Sequence, residues 1–171
     1  EQGVGEADLV KYDGEIIYAA HFGSPCVDCT IPPLDEQSVN PYAWNIHIAR
    51  TDPVSAGLER LTILPLDEQL QVQGMYLPEP GRLVVIQSSG YFAVCGASWF
   101  APWYWQDQRT RITFFDTSDP AAPQQQAVLE LDGAFTASRA VDGKLYLVSR
   151  YTPSLDIPVG YYSSSDDQLE V

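Results

Sequence analysis

The sequence predicts an all-β chain assembled from repeated four-stranded antiparallel units, and three observations carry that prediction. Nearly every apolar segment is short, rich in β-branched or aromatic residues, and closed by Gly, Pro, Asp or Asn, as strands between turns are. Helical periodicity is sustained nowhere. Landmarks also recur: Gly14, Gly81 and Gly143 each end a tight turn that leads into an apolar strand, at intervals of 67 and 62 residues (14 to 81, 81 to 143). A second marker agrees, because Asp52-Pro53 and Asp119-Pro120 close two further strands with their prolines 67 residues apart (53 to 120).

Taken in order, the expected strands are 8–12, 15–22, 44–50, 59–64, 71–77, 82–88, 111–116, 126–131, 135–141 and 144–150. Each period holds a strand before the glycine turn, a strand after it, a strand ending near Asp-Pro, and a fourth such as 58–64 or 125–131. Glycine supplies the positive φ these turns need, and proline after aspartate stops the ladder by removing a donor. Four antiparallel strands per repeat make a propeller blade. The fold class is therefore an all-β β-propeller fragment, two four-stranded antiparallel blades plus part of a third, in one domain over 1–171 with repeats at about 8–70, 71–134 and 135–171.

Long insertions separate paired landmarks at 23–43, 89–110 and in the tail 152–171. All three follow the corresponding strand of successive repeats, so they are expected to project from one end of the blades, where loops commonly carry recognition.

Composition bounds the function. The chain has 171 residues, 45% hydrophobic and 12% aromatic, with 13 Pro and 12 Gly, which suits a folded β chain and disfavours long helices. Its formal charge is −14, from 23 acidic against 9 basic residues, and that field repels nucleic-acid phosphates and anionic membrane surfaces. No apolar run reaches the about 18 to 20 residues of a spanning helix, so membrane insertion is not expected. The chain begins at Glu1 with no initiator Met and no charged-then-apolar leader, as a mature or trimmed chain would.

Cys26-Val27-Asp28-Cys29 has C-x-x-C spacing, which fits a redox pair, half of a zinc site or a small disulfide loop. A structural zinc wants four ligands, and the sequence shows no second C-x-x-C and no H-x3-5-H pair. Pro25 before it and Ile31-Pro32-Pro33 after it place the pair in a loop instead of at a helix start, which argues against thioredoxin-like chemistry. A local Cys26–Cys29 disulfide in an oxidising compartment is the preferred reading, and free thiols are the alternative.

The segment Gly5-Glu6-Ala7-Asp8-Leu9-Val10-Lys11-Tyr12-Asp13-Gly14-Glu15-Ile16-Ile17-Tyr18 resembles the start of the propeller in a bacterial and archaeal family of secreted proteins with a C-terminal β-propeller domain, distantly similar to WD-type repeats. That family reads roughly G-V-D-E-A-D-I-V-K-T-D-G-x-Y-I-Y there, and Val4-Gly5-Glu6 departs from it by lacking the acidic residue before Glu. The end of the strand before Thr117-Ser118-Asp119-Pro120, and Ser138-Arg139 with the run from Asp142 to Ser149, look like further pieces of it. The resemblance covers about 3–151. It implies a propeller fold and an exported, secreted or cell-envelope location, and it transfers no catalytic residue. A family propeller is much longer, so the chain looks like its N-terminal portion. The apolar faces and unpaired edge of such a portion would favour self-association.

Candidate chemistry is sparse. Cys95-Gly96-Ala97-Ser98-Trp99 resembles the nucleophile segment of papain-like proteases, but its following helix is missing and both histidines, His21 and His47, lie upstream. His21 and His47 sit in apolar strands, where packing is the ordinary role. The carboxylate pairs Asp35-Glu36, Asp67-Glu68 and Asp166-Asp167 lack calcium-loop spacing and are read as solvated surface. No catalytic residue, metal ligand or cofactor is therefore expected.

The run Trp99-Phe100-Ala101-Pro102-Trp103-Tyr104-Trp105 differs in kind, placing five large rings inside an insertion. Either these rings fold back as a plug over the blade, or they form a platform for a protein, peptide or carbohydrate partner. Tyr42 and Trp44, beside the first insertion, are expected to join either arrangement. The function expected is an exported, non-catalytic binding or scaffolding module that contacts its partner through Trp99, Phe100, Trp103, Tyr104, Trp105, Tyr42 and Trp44. The rival is part of a propeller hydrolase whose site is completed by blades outside this chain.

Overall fold

A computed structural model describes residues 4–22, 43–52, 54, 56–89 and 108–151. Eleven strands run through them: β1 Val4–Glu6, β2 Val10–Tyr12, β3 Ile16–Phe22, β4 Trp44–Asp52, β5 Gly57–Pro65, β6 Leu70–Tyr76, β7 Arg82–Ser89, β8 Arg109–Asp116, β9 Gln124–Asp132, β10 Ala134–Val141 and β11 Lys144–Arg150. They form two four-stranded antiparallel sheets, β2-β3-β4-β5 and β6-β7-β8-β9, and a three-stranded sheet β1-β10-β11. The described residues contain no helix.

The repetition extends to register. Ile16 pairs with Arg50 and Arg82 with Asp116, so both members move by 66 residues (16 to 82, 50 to 116). A β-bulge falls between Ile48 and Ala49 and another between Phe114 and Phe115, again 66 apart (48 to 114, 49 to 115). Bulges at Val72/Gly74 and Phe135/Ala137 relate the second sheet to the third by 63 (72 to 135, 74 to 137). The first interval is one shorter than the 67 read from glycines and prolines, because Thr117-Ser118-Asp119-Pro120 has one residue more than Thr51-Asp52-Pro53 and the glycine turns are not equivalent. Thr51 N–H donates to Glu15 O at 2.9 Å where Thr117 N–H donates to Gly81 O at 2.8 Å, so Glu15, not Gly14, matches Gly81.

Alternation along the strands builds the core. Ile16, Tyr18, Ile46 and Ile48 of the first sheet meet Val72, Met75, Leu83, Val85 and Phe115 of the second. The other face of the second sheet, through Tyr76, Val84, Ile86 and Ile112, packs on Phe135, Ala140, Leu145 and Leu147 of the third. Two phenols cross between layers: Tyr18 Oη donates to Thr117 Oγ1 at 3.3 Å, and Tyr76 Oη lies 2.8 Å from Ser138 Oγ. The middle sheet is thus buried on both faces, while the first and third each keep one open face.

The sequence reading missed β1. Its residues pair with the start of the third repeat, Val4 with Val141, Gly5 with Ala140 and Glu6 with Arg139. Next, Asp8 bridges Met75, whose N–H donates to Asp8 O at 2.9 Å, and then β2 pairs with β3. The segment 4–12 therefore runs along one edge of all three sheets. Gly74 lets it approach: a Cβ there would stand 2.5 Å from Ala7 Cβ and 3.2 Å from Asp8 N.

Candidate functional site

Five connections gather at one end of the sheets: the mouths of the insertions after β3 and β7, the end of β11, and the turns β5–β6 and β9–β10. Hydrogen bonds hold them together. Ser89 Oγ accepts from Arg109 N at 2.8 Å, and Ser88 Oγ donates to Arg109 O at 3.2 Å, which clamps the two sides of the second insertion's mouth. Ser88 Oγ also accepts from Phe135 N at 3.2 Å, while Thr110 Oγ1 donates to Gly133 O at 2.9 Å and Gly133 N–H to Gln108 O at 2.6 Å. On the other side, Gln87 Nε2 donates to Asp67 O and Leu70 O at 3.2 and 3.3 Å.

Arg111 is the electrostatic centre of this end. Its guanidinium reaches Asp67 Oδ2 at 2.7 Å and Glu130 Oε1 at 2.8 Å, binding β8 to β9 and to the β5–β6 turn. Asp67 Oδ1 accepts from Gln69 N at 2.9 Å. Asp67 is thus a half-buried, ion-paired carboxylate, which corrects its reading as solvated surface.

At the first insertion's mouth, Phe22 pairs directly with Trp44, their rings 5.4 Å apart and tilted by 40°. Trp44 lies partly against the main core, so part of its area is structural, whereas Phe22 is exposed. On the opposite face of the same strands the imidazoles of His21 and His47 lie 5.2 Å apart at 57°. Burial, then the nearby His21 and Arg60, hold His47 below its ordinary value of 6.5. Asn45 pairs opposite His21 and is two residues from His47, hence on their face. Its Nδ2 donates to Ala43 O at 2.9 Å, and its buried Oδ1 has no hydrogen-bond partner among the described residues. Sequence reasoning gave the histidines separate packing roles. Only the β3–β4 register, closed over an intervening insertion, brings them together.

Of the sequence-derived site residues, Trp44 is the one among the described residues. Tyr42, Trp99, Phe100, Trp103, Tyr104 and Trp105 lie outside them, as do Cys26, Cys29 and the Cys95 to Trp99 segment. Among the described residues no three His, Cys, Asp or Glu side chains converge as a metal-binding group. No helix among them is long and apolar enough to cross a membrane.

A family model described as "Beta propeller domain" matches residues 1–169. The chain belongs to the β-propeller domain family. Its four-stranded sheets are accordingly blades, and the clamped end is the face of the propeller from which the insertions leave. Searches of curated proteins and of solved structures returned no match.

Proposed function

We propose that this propeller is an exported, non-catalytic binding or scaffolding module that engages a protein, peptide or carbohydrate through its insertion-bearing face. The observation that carries the reading is the clamp of Ser88, Ser89, Arg109, Thr110 and Gly133 at the root of the aromatic insertion. Recognition commonly sits on loops whose two ends are fixed to a scaffold, and the clamp fixes both ends of this one. Export rests on the family resemblance and on the C-x-x-C loop, and thiol titration of the unreduced chain tests it: two reactive thiols at Cys26 and Cys29 would count against it.

The decisive experiment replaces Trp103 and Trp105 by Ser and measures binding to a panel of oligosaccharides and unstructured peptides by calorimetry. Loss of a binding event seen with the unaltered chain, at unchanged melting temperature, supports the proposal. A fall in melting temperature with no binding event in either form would instead identify the rings as a plug.

The open blade faces support self-association as part of the same reading. Val10 and Tyr12 on the first blade and Tyr146 and Val148 on the third are large, apolar and exposed, on faces turned away from the core. A second copy would cover them by stacking blade on blade. A strictly monomeric mass by light scattering at high concentration would remove this element.

A further inference from the structure

From the geometry of the first blade we infer that His21 and His47, with the Asn45 amide oxygen, form a binding site for a divalent transition ion of the zinc, copper and nickel class. The site stands apart from the aromatic insertion and does not depend on the partner-binding reading.

Three observations converge on one face of β3 and β4. The two rings are 5.2 Å apart between centres. When two imidazole nitrogens bind one ion at about 2.0–2.1 Å with a tetrahedral angle between them, their ring centres stand roughly 5 Å apart. The observed separation leaves room for one ion between a nitrogen of each ring, and it is also within the range of about 4.5–7 Å of packed rings, so it is the rings together with Asn45 that point to the ion. Side chains on diagonal positions of paired strands lie close enough to share a ligand. The third observation is Asn45, 5% exposed, whose Oδ1 has no partner among the described residues. Buried acceptors are costly to leave unpaired, and native structures rarely do so without a ligand, water or ion to receive. Its Nδ2 is engaged by Ala43 O, which orients the amide and leaves the oxygen as its open valence.

The donor set fixes the class of ion. Imidazole nitrogen suits zinc, copper and nickel, whereas calcium and magnesium favour all-oxygen sets. Two imidazole nitrogens and one amide oxygen leave coordination positions for water, so the site has the character of a weak, exchangeable chelate and not of a closed structural centre. A bound ion would bridge the end of β3 to the start of β4, fixing the root of the first insertion as the serine clamp fixes that of the second.

The test is titration of the whole chain with zinc chloride near neutral pH, read by calorimetry and by the 15N imidazole resonances. We expect one ion per chain, shifts confined to the rings of His21 and His47, and no such shifts with magnesium. His21→Ala, at an exposed position that folding tolerates, weakens binding by at least about ten-fold, on the scale of a disturbed metal ligand sphere. Asn45→Asp, which gives the orphan oxygen a charge, tightens it. A Cys26→Ser, Cys29→Ser double variant keeps the histidine shifts. Zinc uptake indifferent to His21→Ala, or lost only in the cysteine variant, would overturn the site, and so would ring resonances that do not move.

Discussion

Gly74 occupies a position where backbone touches backbone. Replacing it by Ala would put a methyl 2.5 Å from Ala7 Cβ and 3.2 Å from the Asp8 nitrogen, so the segment 4–12 must withdraw. Gly14 is the informative comparison, since its φ of +109° strains any other residue while nothing lies within 4 Å of the added carbon. Overpacking typically costs about 1–3 kcal/mol and a left-handed backbone about 1–2. We expect Gly74→Ala to destabilise more than Gly14→Ala in urea unfolding, and to strip protection from the Met75 amide in hydrogen exchange. Gly14→Ala leaves that amide protected.

Tyr18 gives a second prediction at this scale. Burial raises its phenol above the ordinary value of 10.0, with Asp13 adding to the effect and the Thr117 bond opposing it. The folded state then holds the proton more tightly than the unfolded state. This contribution to stability is complete below pH 10 and is lost as pH rises through the folded value. Tyr18→Phe should remove that alkaline loss and cost about 1 kcal/mol at neutral pH through the hydrogen bond to Thr117. Urea midpoints measured from neutral to strongly alkaline pH for both proteins check the sign.

Ion pairs divide by the element they serve. Arg82 bonds Glu79 within one turn, with both side chains more than half exposed, and exposed pairs contribute roughly 0–1 kcal/mol. Arg111 is 29% exposed against an 18% exposed Asp67, and it joins three elements. Hydrogen bonds to charged groups are worth about 1.5–3 kcal/mol, so Arg111→Met should destabilise by that order and Arg82→Met by far less. Thermal unfolding of the two variants separates them.

Strands were the legible elements, and for physical reasons. Lys144–Arg150 alternates side chains between core and solvent and follows a Gly turn, so its period of two and its start are both written locally. β9 begins two residues before the strand that the sequence marks, because Gln124 and Gln125 are an exposed continuation of an outer strand and carry no apolar signal. β1 was missed altogether. Three residues, one of them glycine and one acidic, show no period, and what makes them a strand is a partner 133 residues away. The clamp and the histidine pair share that obscurity, since each depends on register between strands and not on spacing along the chain. The aromatic insertion was visible as composition, which says that rings are present and not where they point.

For the whole molecule, the decisive contact is the passage of 4–12 across three sheets. It supplies one strand to the third sheet, one bridge to the second and one strand to the first. Deleting residues 1–9 is therefore expected to affect all three blades at once. Their unfolding, cooperative in the intact chain, should broaden in urea with a lower dependence on denaturant, a sign that the blades no longer unfold as a unit. A deletion variant that keeps the midpoint and slope of the parent would show that the blades cohere through their faces alone.

That same passage sets an order of events during synthesis. Residues 4–6 are translated more than 130 residues before the backbone groups they bond, at Arg139, Ala140 and Val141. At the usual pace of about 5–20 residues per second, this segment waits several seconds with its donors and acceptors open. Such long-range closure belongs among the slow steps of folding. A nascent chain stalled just short of Arg139 would still present residues 4–6 to a protease or a chaperone, and one extended past Arg150 would hide them.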